Sequence, residues 1–152
     1  MLRDGYCMNV ITINEIVVAL LLQLQQGYGI DQTIPPPRLN FLTTREMTQM
    51  ACTRPCNGVQ GWTPPGHSVY LHEDLSIEDD LHDKSVLLHE LVHYIQYRYQ
   101  LDVMATECQT WKAREARAYQ IQIEWLHKYR VSIEKYGLHR AQRRLHGVKC
   151  LE

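Results

Sequence analysis

The segment His89-Glu90-Leu91-Val92-His93 carries the most definite chemistry in the sequence. On a helix, positions four apart lie on one face one turn apart, so both imidazoles can reach a single ion while Glu90 projects beside them toward a water. Such a spacing suits one catalytic zinc ion per chain, with His89 and His93 as ligands and Glu90 as general base. The neighbours sharpen that reading. Leu87, Leu88, Leu91 and Val92 set the motif among apolar side chains, where unpaired polar groups are unfavourable and a cation would satisfy them. The alternative is a pair of core histidines held by ordinary hydrogen bonds.

A catalytic zinc takes a third protein ligand and leaves one position open. Downstream, Cys108, Trp111, Ala118, Tyr119 and Leu126 recur at helical spacing as an apolar stripe, and Glu115 falls within it. A carboxylate on a core-facing stripe needs a partner, which makes Glu115 the favoured third ligand. Glu107 is the competitor, although its place at a helix start is one where a carboxylate is stabilised by the helix dipole alone. Glu124 falls on the opposite face. A salt bridge from Glu115 to an arginine is the other reading of that residue.

The elements that must position these residues are legible from caps and breaks. Thr12 with Glu15 forms a capping box, so a first helix is expected to about Gln26, ended by Gly27 and Gly29. Pro35 to Pro37 exclude a helix, and Arg38 to Leu42 alternates as a half-buried strand. Thr43 with Glu46 opens a short second helix ending by Cys52. Around Pro64-Pro65-Gly66, Trp62 and Ser68 to Leu71 read as a hairpin or a sheet edge. The run through Val86, Leu87, Leu88, Leu91, Val92 and Ile95 is apolar almost all round, which predicts a central, buried helix. Thr106 with Gln109 gives a third capping box, opening a long helix expected to reach about Tyr136, and Leu138 to Leu145 forms a last short helix. The expected fold class is α+β, mainly helical, with a small antiparallel or mixed sheet packed on the helix that carries the motif, in one domain over 1–152.

With these pieces assembled, His89 to His93 followed by a return helix bearing Arg114-Glu115-Ala116-Arg117-Ala118-Tyr119 resembles the gluzincin branch of the zincin metallopeptidases, especially its small bacterial members. The likeness extends over about Pro37 to Gln122. It implies a zincin-like fold, a zinc ion held by His89, His93 and Glu115, and hydrolysis of peptide bonds in which Glu90 takes a proton from a water whose pKa the zinc lowers to about 7. It also implies an edge strand before the motif helix, Ser68 to His72, along which an extended peptide or protein substrate pairs. Tyr119 and His72, with His67, are candidates by position for holding the oxyanion or touching substrate. Many members carry an Asp shortly after the glutamate ligand to orient a histidine; here Arg117 and Tyr119 stand nearby, so the orienting partner is unassigned. The reading from a different class is a non-catalytic domain that keeps this fold and a structural zinc and serves as an interaction module.

Composition narrows the remaining classes. With 45% apolar and 22% charged residues, the 152-residue chain has the balance of a globular domain. Its formal net charge of -1 gives no reason to expect a nucleic-acid partner. The seven Lys or Arg between Lys128 and Lys149, without interleaved aromatics, read as a solvated helix face. The longest apolar run, Ile16 to Leu22, is too short to span a membrane, and it lacks the flanks of an export signal. Five cysteines leave at least one unpaired within the chain. Cys52 and Cys56 enclose a turn-like spacer and are expected to bridge if the protein is exported to a periplasmic or extracellular compartment.

Overall fold

The helix α3 (Leu81–Tyr99) is the axis of the structure, because its sequence offers water no polar face: residues 85–96 are buried without interruption. The computed structural model of the protein describes residues 11–53, 58–134 and 137–151. Among them the fold is α+β, with α1 (Ile13–Tyr28), β1 (Arg38–Leu42), α2 (Thr44–Ala51), β2 (Gly61–Trp62) and β3 (Ser68–His72) preceding α3, and α4 (Glu107–Lys128) and α5 (Leu138–Gly147) following it. No helix among these is long and apolar enough to cross a membrane.

The elements around α3 form where local chemistry starts and stops them. Thr12 and Thr43 both make complete capping boxes, each hydroxyl accepting from the third helical N–H while Glu15 or Glu46 accepts from the threonine N–H. The Thr43 contacts also hold the Glu46 carboxyl below its ordinary range. Asp80 caps α3, accepting from the Asp83 N–H at 2.9 Å. α1 runs through Gly27 and stops at Gly29, whose left-handed φ of 65° lets its N–H and that of Ile30 return to the last carbonyls of the helix. One side of α1, Ile16, Val17, Leu20, Leu21 and Leu24, is buried in the core shared with α3.

The three strands form one mixed sheet in the order β1-β3-β2. β1 pairs parallel with β3, Arg38 opposite Ser68 through Leu42 opposite His72, and β2 pairs antiparallel, Gly61 opposite Leu71 and Trp62 opposite Tyr70. Ser68–His72 is therefore the middle strand and not an edge. Val69 and Leu71, on the face of β3 turned to the core, are wholly buried. The sheet edge next to α3 belongs to β2.

α4 returns along α3 and ends eight residues short of the Tyr136 expected from its pattern, at Lys128. Arg130 takes the left-handed φ of 58°, and the N–H groups of Arg130 and Val131 bond to His127 O and Leu126 O. This is a Schellman stop without the glycine that normally announces it. Thr106 accepts from the Gln109 N–H at the start of α4. Cys108, expected on a core stripe, is half-buried and bridged to Cys150. The bridge closes a separation of 42 residues, for which chain entropy gives roughly 3 to 5 kcal/mol. The expected Cys52–Cys56 bridge lies outside the described residues, since Cys56 is not among them.

Because an L-residue in the left-handed region is strained by about 1 to 2 kcal/mol, Arg130→Gly is expected to be neutral or to stabilise by up to about 1 kcal/mol. Denaturant melting checks this, and a clear loss of stability would mean that the Arg130 side chain holds the stop by contacts of its own.

Candidate metal centre

His89 and His93 stand one turn apart on α3, and Glu115 faces them from α4. His93 Nε2 lies 3.1 Å from His89 Nε2 and 3.0 Å from Glu115 Oε1, and His89 Nε2 lies 3.5 Å from Glu115 Oε2. Both histidines are 8% exposed. Three ligands arranged tetrahedrally at 2.0 to 2.1 Å from one ion would sit about 3.3 Å apart, so this donor set fits a zinc ion.

The hydrogen bonds behind the imidazoles fix their tautomers. His93 Nδ1 meets Gln96 Oε1 at 2.9 Å, and the Gln96 amide nitrogen donates to Asp102 Oδ2 and Arg114 O at 2.9 and 3.1 Å. Those two acceptors settle which end of the amide is oxygen, so His93 Nδ1 must carry the proton. His89 Nδ1 meets Gln122 Oε1 at 3.0 Å; the Gln122 nitrogen donates to Ser85 Oγ, whose own proton goes to His82 O at 2.6 Å. His89 Nδ1 is likewise the donor. Both Nε2 atoms therefore point into one small space that already holds a carboxylate, a donor set that could hold a cation.

The titration tendencies of the metal-free triad agree. Burial pushes the Glu115 carboxyl up, but the imidazoles of His89 and His93 outweigh it and hold the group well below the usual carboxylate range. For His93, burial pulls downward; hydrogen bonding and attraction to Glu115, then Glu90 and Gln96, reverse it, so the net shift is upward. Tyr119 packs edge-on against His89 at 4.7 Å, and burial, with Glu115 and Glu90, pushes its phenol up to about 12. It remains an O–H donor at neutral pH.

Glu90 follows His89 on α3 and turns toward β2. Thr63, just after β2, donates to Glu90 Oε2 at 2.7 Å, and its oxygen is also 3.2 Å from Glu90 O. At Gly61 a Cβ would lie 2.6 Å from both Cγ and Oε1 of Glu90, so the carboxylate rests where a side chain would otherwise be. A cleft of about 990 Å³ opens over the triad, lined in part by Trp62, Tyr97, Trp111, Tyr119 and Leu138. Trp111, expected on the core stripe, is 48% exposed in this cleft. Glu107 is exposed on the cleft rim, away from the triad, and Glu124 is exposed and bonded to Gln120.

Two positional candidates do not reach the site. His72 ends β3, where Nδ1 accepts from the Asp74 N–H at 3.1 Å and Nε2 donates to Thr44 Oγ1 at 2.7 Å, tying the sheet to α2 instead of facing the cleft. His67 is exposed in the β2–β3 turn. The residues missing from the sequence reading are Gln96, Gln122, Ser85, Thr63 and Gly61. A signal for two existed: Gln96 is seven residues after His89 and Gln122 seven after Glu115, a spacing that returns a polar group to the same helix face.

Residues 11–139 match DUF6647, a domain of unknown function. The chain belongs to that family. Its match takes in every member of the triad, together with Glu90, Gln96 and Gln122. No curated protein and no solved structure matches the chain.

In this DUF6647 domain, Gly61→Ala is expected to destabilise by about 1 to 3 kcal/mol, because the Glu90 side chain is buried and must be displaced. Urea titration measures it. An unchanged midpoint would show that the carboxylate moves aside freely and that β2 does not hold it.

Proposed function

We propose that the protein is a zinc-dependent peptidase of the zincin type, resembling the small gluzincins. The observation that carries the proposal is the convergence of two Nδ1-protonated imidazoles and one carboxylate at zinc-ligand separations, with a second glutamate held beside them. The α+β arrangement supports it further: an antiparallel outer strand flanks the motif helix, and the third ligand comes from the return helix.

His89, His93 and Glu115 would hold the zinc, which when bound supplies Lewis acidity to a carbonyl and makes a water acidic near neutral pH. Glu90 takes the proton of the attacking water and passes it to the leaving amine. Thr63 and Gly61 keep the Glu90 carboxylate from swinging away between these two transfers. Tyr119, protonated at working pH and beside His89, is suited to donate to the developing oxyanion. Substrate would pair with the outer edge of β2 instead of Ser68–His72, whose two edges are both occupied. The Cys108–Cys150 bridge favours an oxidising compartment as the place of action.

Metal analysis tests the ligand set. About one zinc per chain is expected, lost in Glu115→Ala and kept in Glu107→Ala. A wild-type protein that takes up no zinc on reconstitution would overturn the proposal. Zinc present with no hydrolysis of any peptide pool, and no difference from Glu90→Gln, would turn the protein into an interaction module with a structural ion.

The amides behind the ligands make a second prediction. Gln122→Leu, which keeps the volume and removes the acceptor for His89, is expected to weaken zinc binding about 10- to 100-fold. Competition with a metallochromic chelator reads this, and equal affinity would show that the amide has no part in orienting the ligand. Zinc affinity is also expected to fall with acidification, since a protonated imidazole has no lone pair to give. Because the pKa of His93 is raised, the decline begins above the usual histidine value of about 6.5.

A further inference from the structure

One side of the cleft is attached differently from the rest. Its floor and the sides from α3, α4 and β2 all lie within the stretch that matches the family, whereas the family match ends at residue 139, two residues into α5. Gly137, Leu138 and Ala141 nevertheless form part of the cleft lining. α5 is thus a wall whose body, with the tail through Cys150, stands outside the matched stretch.

Its own hold on the molecule is slight. α5 buries only Leu138 and Leu145 fully, its N-terminus has no side-chain cap, and Arg140, Arg143 and Arg144 are exposed. Two ties from α4 add to this. Lys112 Nζ donates to His146 O and Val148 O at 3.3 and 2.7 Å, and Cys108 is bonded to Cys150. Cys108 sits in the first turn of α4, among residues that line the cleft: Glu107 beside it, Thr110 and Trp111 one turn on. The bridge therefore fastens the α5 wall to the cleft rim. It is also within reach of another thiol, for both cysteines are half-buried while their neighbours Glu107, Lys149 and Leu151 are exposed.

We propose that the Cys108–Cys150 bridge is a redox latch that holds α5 against the cleft, and that its reduction loosens α5 and widens the approach to His89, His93 and Glu115. The step is thiol–disulfide exchange with a dithiol: the S–S bond breaks, the dithiol gives up two electrons and two protons and closes to its own disulfide, and Cys108 and Cys150 leave as thiols. With the bridge open, two buried leucines and one lysine are the main ties among the described residues that hold a helix of ten residues, so local opening becomes accessible well below global unfolding. As regulation, this rests on the peptidase reading of the cleft; as mechanics, it does not.

The test compares the oxidised protein, the protein reduced by a dithiol, and Cys150→Ser, all metal-free. Hydrogen exchange resolved by peptide reads the wall, and the rate at which a pyrocarbonate reagent acylates His89 and His93 reads the approach to the site. In the reduced and Cys150→Ser forms, α5 amides are expected to exchange at least about tenfold faster while α3 amides keep their protection, with acylation accelerated several-fold. Reoxidation should restore the wild type and leave Cys150→Ser unchanged. Equal α5 protection in all three forms, unchanged acylation rates, or protection lost equally from α3 would overturn the latch, the last by making the bridge a staple of the whole fold. Faster exchange and acylation in a protein that never takes up zinc would support the latch and remove the peptidase reading.

Discussion

Two imidazoles and a carboxylate share a buried space in which every separation is between 3.0 and 3.5 Å. The rest of the structure follows from maintaining that arrangement. Without a cation the groups would spread or take up a proton, as the raised His93 and depressed Glu115 already indicate. Holding them together requires a helix buried on all sides, so that the histidines cannot rotate toward water, and a second helix packed along it to bring the carboxylate. α3 and α4 are those helices, and the sheet and α1 complete the burial.

The partners behind His89 and His93 are neutral amides, which has an electrostatic consequence. A carboxylate behind a ligand histidine makes the imidazole a stronger donor to the metal and adds negative charge to the site. Here Gln96 and Gln122 fix the tautomer without adding charge, leaving Glu115 as the triad's own negative charge with Glu90 acting on His93 beside it. An ion held there would keep more of its positive character for a substrate carbonyl. The same two carboxylates, together with burial, are what hold the Tyr119 proton in place.

How much of this was legible depended on whether the signal was local. The capping boxes at Thr12 and Thr43, the strand from Arg38 and the buried character of α3 all follow from neighbours within a turn or a strand and are present as expected, while Thr106 forms only the half of its box in which it accepts from the Gln109 N–H. The helix stop at Lys128 was not legible, because Arg130 adopts a conformation that glycine usually marks. The middle position of β3 depends on a parallel partner 30 residues earlier, which no local pattern encodes. His72 looked available because position along the chain says nothing about direction; a threonine on α2 and a turn amide occupy both its nitrogens. Cys108 and Cys150 could not be paired from spacing, and the glutamines behind the ligands were overlooked because single amides in an apolar helix look like surface residues until the face is traced.

The link between α3 and α4 has a significance beyond joining two helices. Gln100 and Asp102 both take left-handed backbone angles there, and Asp102 accepts from the amide that aligns His93, while Arg114 of α4 donates to the carbonyl of Leu101 in the same link. A connection of this length would ordinarily tolerate insertion and drift. This one is instead part of the frame that orients His93: one added residue would shift Asp102, free the Gln96 amide to turn over, and present a donor to His93 where an acceptor now stands. Lengthening a surface turn would then be felt as a changed tautomer at the centre of the protein.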